Sequence, residues 1–175
     1  MEKIKKDFVS EGAYRCKVVS SFNSSQMKDY SSAPFISFEL KTDDNRYGRA
    51  KFWTPRDSDK ESTKEWKKKT LKDFLVNCGV SDFSDKEQTV KNAIDKYVNV
   101  CFVFEEYIGY DKITKEPTKR KAIRYRWSSK DGANIKYDAG YNKPLTSEQE
   151  QELAKAREQW KSSSVSQESN DDLPF

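Results

Sequence analysis

No histidine occurs in the 175 residues. That excludes an imidazole base, a His-based triad and His-ligated zinc. Cysteine is scarce: Cys16, Cys78 and Cys101 are too scattered for a CxxC pair, and an odd number suits reduced, buried thiols better than a disulfide framework. The six glycines form neither GxGxxG nor a Walker A loop. No apolar run approaches the roughly 20 residues that span a bilayer, and the lysine-rich start lacks a signal-peptide core, so a cytoplasmic location is expected. Glu39-Leu40-Lys41 fits half of a metal-dependent nuclease site. No Pro-Asp partner precedes it, however, and a Leu between two charged residues is ordinary for a strand. The expectation is a protein that is not an enzyme and uses no metal or cofactor.

What is present is charge, with enough apolar and aromatic residues for one core. Charged residues make up 35% of the chain, hydrophobic residues 34% and aromatics 13%; the aromatic share argues against wholesale disorder. Residues 162–175 hold three acids and no base, which leaves 33 bases against 26 acids in residues 1–161, or +7 net. A basic body with an acidic tail suits a polyanion binder whose tail competes only weakly for the same surface.

The apolar pattern changes period along the chain. A first strand is predicted from Gly12 to Phe22, with Tyr14, Cys16 and Val18 inward and Arg15 and Lys17 outward. A polar loop, Ser20 to Ala33, precedes a second strand in which Ile36, Phe38 and Leu40 alternate with Ser37, Glu39 and Lys41. Asp43-Asp44-Asn45 makes the turn into a third strand, Arg46 to Thr54, where Ala50 and Phe52 oppose Arg49, Lys51 and Trp53. The helical period then takes over. Ser62 and Glu65 form a capping box, Trp66, Thr70, Leu71, Phe74, Leu75 and Cys78 share a face, and Gly79 stops the helix. A shorter helix is expected from Ser84 with Glu87. Val98, Val100, Phe102 and Phe104 restore the strand period, and a long loop through Gly109 and Pro117 leads to a fifth strand, where Ile123, Tyr125 and Trp127 alternate with Arg124 and Arg126. An extra hairpin is expected within Ser128–Pro144.

Three strands, helix, two strands is the order of an OB-fold, a five-stranded barrel, here mainly β with helices between strands three and four; other small barrels share that order. The expected organisation is an OB domain over 1–145, a C-terminal helix over 146–161 opened by Thr146 and Gln149, and a flexible acidic tail over 162–175. Trp66, Phe74, Phe102 and Phe104 are assigned to the core.

Single-strand binders need cations along the phosphates and flat side chains against the bases. OB-folds present both from strands two and three and from the loops between strands one and two and between four and five. The candidates are Arg15 and Lys17 on strand one, Phe22, Lys28, Tyr30 and Phe35 around the first loop, and Arg49, Lys51 and Trp53 on strand three. In and beyond the second loop they are Tyr107, Tyr110, Lys112, Lys115, Arg120, Arg124 and Arg126. Each also has a plain structural reading: Trp53 packs under a helix or caps the barrel, the tyrosines are half-buried surface residues, and the arginines form a solvated face.

Asp171, Asp172, Leu173, Pro174 and Phe175 form a docking peptide: proline stiffens the backbone, an apolar pocket takes Phe175, and basic groups take the carboxylates. This tip resembles the acidic, Pro-Phe-terminated tip of bacterial single-stranded DNA-binding proteins, and the body looks like a divergent, phage-type version. The resemblance implies an OB-fold that coats single-stranded DNA in replication, recombination and repair. It also implies a tip that recruits host or phage enzymes in the bacterial cytoplasm, with self-association left open. Two alternatives remain at this level: an adaptor or inhibitor that mimics the tip without binding DNA, and an RNA-binding OB module.

Overall fold

The computed structural model describes residues 5–26 and 33–171, with side chains as far as Ser164. Lys28, Tyr30, Asp172, Leu173, Pro174 and Phe175 lie outside the described residues, as does the Asp171 side chain. The architecture is mainly β. A five-stranded sheet in the order β3-β2-β1-β4-β5 is accompanied by three α-helices among the described residues. The strands are β1 (Gly12–Asn23), β2 (Phe35–Thr42), β3 (Tyr47–Trp53), β4 (Tyr97–Tyr110) and β5 (Pro117–Lys130); the helices are α1 (Glu61–Asn77), α2 (Lys86–Lys91) and α3 (Ser147–Asp171). The chain divides into two compact units, Met1–Val103 with Ile123–Tyr141, and Phe104–Ala122 with Asn142–Phe175. These boundaries differ from a division at 145 and 161.

In the first unit β1 pairs antiparallel with β2 and β4, and β2 with β3. The inward residues follow the period of two: Cys16, Val18, Ile36, Phe38, Leu40 and Ala50 are fully buried, and Val98, Val100 and Phe102 continue the core on β4. The sheet curls strongly. Phe52 on β3 and Tyr125 on β5 stand at opposite ends of the strand order, yet their ring centroids are 5.1 Å apart. Phe74 of α1 packs 5.0 Å from Phe52, 4.9 Å from Phe38 and 5.7 Å from Tyr125, so one helical ring closes the core between the two sheet edges. Gly48 is required by a close approach: a Cβ there would lie 2.5 Å from the Phe102 ring.

Helix α1 ends as its sequence predicts. Gly79 (φ +84°) takes the left-handed position. The Val80 amide donates to Leu75 O at 3.0 Å and the Gly79 amide to Val76 O at 2.9 Å, which satisfies two terminal carbonyls. Its start differs. The cap is Lys60 without a side-chain bond, so Ser62 lies within the first turn and Glu65 in the second, and they do not frame the helix start. Trp66 is not core: it is 61% exposed. At 100° per residue it falls about 130° from the middle of the arc formed by Leu71, Phe74, Leu75 and Cys78. Lys67 occupies the inward position instead, its ammonium 2.7 Å from Asp59. Helix α2 begins one turn position later than expected, capped by the Asp85 carboxylate, which accepts from the Gln88 amide. No hairpin forms within 128–144. β5 continues to Lys130, and the Asn99 amide nitrogen donates to the carbonyls of Lys130 (3.0 Å) and Ala133 (2.7 Å), pinning the chain as it turns away.

In the second unit the expected long loop is a six-residue turn, because β4 and β5 extend to Tyr110 and from Pro117. The Asp111 carboxylate accepts from the amides of Ile113 and Thr114, each at 2.8 Å, and fixes that turn. Phe104 is half-buried rather than core, with the Lys121 ammonium 4.3 Å above its ring. Thr146 and Gln149 open α3 as expected, and they do so as a capping box: each side chain accepts from the other's backbone amide, at 3.2 and 3.0 Å. From α3, Leu153 is buried and the Trp160 indole donates to Thr114 O at 2.8 Å. The helix does not stop at 161. Its backbone continues to Asp171, and the hydroxyls of Ser162, Ser163 and Ser164 return to carbonyls of the preceding turn, so serine here is compatible with helix where composition suggested a linker.

Candidate nucleic-acid interface

The outer face of β1, β2 and β3 gathers the aromatic and basic residues. On β3 the period of two turns Tyr47, Arg49, Lys51 and Trp53 outward, opposite Lys41, Glu39, Ser37 and Phe35 of β2. A bulge in β1 completes the surface. The register slips between Val18 and Ser20, so that Ser20 faces Glu39 and Phe22 faces Ser37. Strict alternation from Cys16 and Val18 would have turned Phe22 inward; the extra residue, Val19, turns it out.

Phe22 and Trp53 are each 42% exposed, whereas Phe35 between them is 8% exposed. Ring centroids of Phe22 and Phe35 lie 5.7 Å apart, and the Trp53 ring meets Phe35 edge-on at 5.9 Å. Phe35 therefore cannot offer its own face to a ligand; it is the floor on which Phe22 and Trp53 stand. The Lys51 ammonium lies 4.1 Å from both the Phe35 and Trp53 centroids. Burial, followed by repulsion from Arg124 and Arg49, holds Lys51 below the ordinary lysine range. A bound anion would offset the repulsion that Arg124 and Arg49 exert on this ammonium. Beside them Ser20, Phe22, Phe35, Ser37, Glu39 and Arg49 line an open groove of about 330 Å³. The acid in that groove, Glu39, is neutralised by Lys6, whose ammonium lies 3.0 Å from both carboxylate oxygens. Leu40 is fully buried behind it, so Glu39-Leu40-Lys41 is a strand with alternating faces.

Other candidates are engaged elsewhere. The Arg15 guanidinium binds Asp131 through two nitrogens (2.8 and 3.2 Å), approaches Asp43 at 3.5 Å and stacks 3.9 Å over Tyr97. The Asp131 hydrogen bond chiefly raises its pKa, and Arg15 ties β1 to the chain beyond β5. Lys17 pairs with Asp95 at 3.6 Å. Arg126 lies 4.6 Å from the Tyr141 ring, which also packs against Trp127, while Arg124 is exposed near Lys51. In the second unit Tyr107 and Tyr110 are exposed, Lys112 and Lys115 ride the β4–β5 turn, and the Arg120 guanidinium crosses to Tyr110 O at 3.1 Å over Gly109.

Tyr47 and Phe8 were not among the sequence candidates. Phe8 is 73% exposed and bridges to Tyr47, which carries Lys6 at 4.7 Å and Lys41 at 5.9 Å from its ring. The alternation Tyr47, Arg49, Lys51, Trp53 carried the signal for Tyr47; nothing local announced Phe8.

Burial pushes the Cys16 and Cys78 thiols up to about 12, so both are protonated at neutral pH and unsuited to nucleophilic roles. Among the described residues no group of three or more Cys, Asp or Glu side chains is arranged to hold a metal ion, and no helix is long and apolar enough to cross a membrane. In comparisons with known proteins, neither a family model nor a curated protein matches the chain.

Proposed function

We propose that this chain binds single-stranded DNA without base specificity, on the outer face of β1–β3, and that its body is an OB-fold. The order β3-β2-β1-β4-β5 is that of an OB barrel opened between β3 and β5, and the approach of Phe52 to Tyr125 across that opening supports the assignment. The observation that carries the functional reading is Trp53: a large ring, 42% exposed, on the same face as Arg49 and Lys51 and beside Phe22. Exposed aromatics interleaved with cations are what stacking on bases and neutralising phosphates require. Arg15, engaged by Asp131, and the floor residue Phe35 are left out of the proposed contact set. Recruitment of replication or recombination enzymes through Asp171 to Phe175, in a bacterial cytoplasm, rests on the sequence of the tip.

The test is a fluorescence titration. Oligo-dT quenches tryptophan emission, duplex of equal length does so weakly, and Trp53→Ala weakens oligo-dT binding by roughly 1–3 kcal/mol. Unchanged affinity in Trp53→Ala, with a large loss of melting temperature, would make Trp53 a structural residue and defeat the proposal.

A further inference from the structure

A second concave surface adjoins the first. Between β3, α1 and α2 lies an open cleft of about 230 Å³, lined by apolar groups including Leu71, Leu75, Phe83 and Val90, with Trp53 as one wall. Its rim carries Lys67, Lys68, Lys72 and Lys86, and no acidic residue is among its lining side chains. Lys67 is committed to Asp59. Lys68 and Lys72 stand one turn apart on α1, where like charges repel. Lys68 has only a 3.9 Å contact with the exposed Glu65, and the Lys72 ammonium sits 5.5 Å from the Phe83 ring. Phe83, 38% exposed, offers a second aromatic surface in the lining of the cleft.

We infer that this cleft is a second subsite for the same single strand: a base enters beside Trp53 and Phe83 while Lys68, Lys72 and Lys86 meet the flanking phosphates. The inference rests on the proposed binding face and extends it from the sheet onto the helical insertion between β3 and β4. Two features favour a nucleotide as the occupant. The rim is cationic and without a balancing acid among its lining residues, which matches phosphate. Trp53 belongs to both surfaces, so a strand stacked on one side of it continues directly into the other. The cleft holds one flat ring and is too small for a helix.

The experiment compares the full-length protein with a Lys68→Ala/Lys72→Ala/Lys86→Ala variant, titrated with oligo-dT of increasing length at several salt concentrations. Each lost phosphate contact lowers the slope of log K against log salt by about 0.7, so three reduce it by about 2 and weaken affinity up to about 100-fold at 0.1 M salt. The loss appears with long oligonucleotides, and the length at which affinity stops rising shortens by ~2–3 nucleotides. Short oligonucleotides that fill only the sheet face bind as before. The corresponding triple Lys→Arg variant retains the slope, which ties the effect to charge. Wild-type binding with an unchanged slope in the alanine variant overturns the subsite alone. Absence of wild-type oligo-dT binding removes both it and the proposed function. An alanine variant that keeps its DNA affinity but loses binding of the peptide Asp-Asp-Leu-Pro-Phe gives the cleft to an acidic peptide instead, and likewise overturns it.

Discussion

Replacing Lys51 with methionine should move stability and DNA affinity in opposite directions. Methionine keeps an unbranched stem against Phe35 and Trp53 and removes the charge. Two ring contacts at 4.1 Å would favour the ammonium, each contributing ~0.5–1 kcal/mol at an exposed site. Against them stand partial burial and repulsion from Arg124 and Arg49, which hold the pKa of Lys51 below that of an ordinary lysine. A lysine with a depressed folded pKa destabilises the fold while charged. The penalty is present at neutral pH and fades as pH rises from the folded pKa to the unfolded value near 10.5. Lys51→Met should therefore be as stable as wild type at pH 7 or more so, by at most ~1 kcal/mol in urea denaturation, and the two should converge at alkaline pH. Oligo-dT affinity should fall, with the salt slope reduced by about 0.7 for one lost phosphate contact. A stability loss above ~1 kcal/mol, or an unchanged salt slope, would refute the reasoning. The cluster would then be a structural cation–π arrangement, not a surface held ready for an anion.

Phe74→Ala removes the ring that joins Phe38, Phe52 and Tyr125, and should cost ~3–5 kcal/mol in chemical denaturation. Asp59 is held below the usual carboxylate range, chiefly by its hydrogen bond from Lys67 and then by the Arg56 amide. Its stabilising effect is present above the unfolded carboxylate pKa and is lost as pH falls through the folded one, so Asp59→Asn should flatten the acid limb of a stability-against-pH profile. Trp160→Phe keeps the ring but loses the indole bond to Thr114 O; amide exchange in the 110–117 turn should rise with a local cost of ~1 kcal/mol, leaving oligo-dT affinity unchanged.

Local period and punctuation determined a good deal of this protein. The alternation through Ile36, Phe38 and Leu40, and through Ala50 and Phe52, fixed which residues enter the core, and therefore which side of β3 presents Arg49, Lys51 and Trp53. Gly79 at the end of α1, and Thr146 with Gln149 at the start of α3, were readable because capping is chemistry between residues a turn apart. The tertiary structure decided the rest, wherever a side chain's fate depends on a partner distant in sequence. Arg15 has the outward position of a phosphate contact, but Asp131, 116 residues away, holds its guanidinium. Phe35 faces outward as its position in the strand requires, yet Trp53 and Phe22 cover it, and the bulge at Val19 that puts Phe22 there leaves no local signature. Lys67, not Trp66, stands on the inward side of α1, and Asp59 neutralises it there. Backbone period assigns a residue to a face; only the fold assigns the neighbours that neutralise its charge or cover its ring, and those neighbours determine whether it remains open to a ligand.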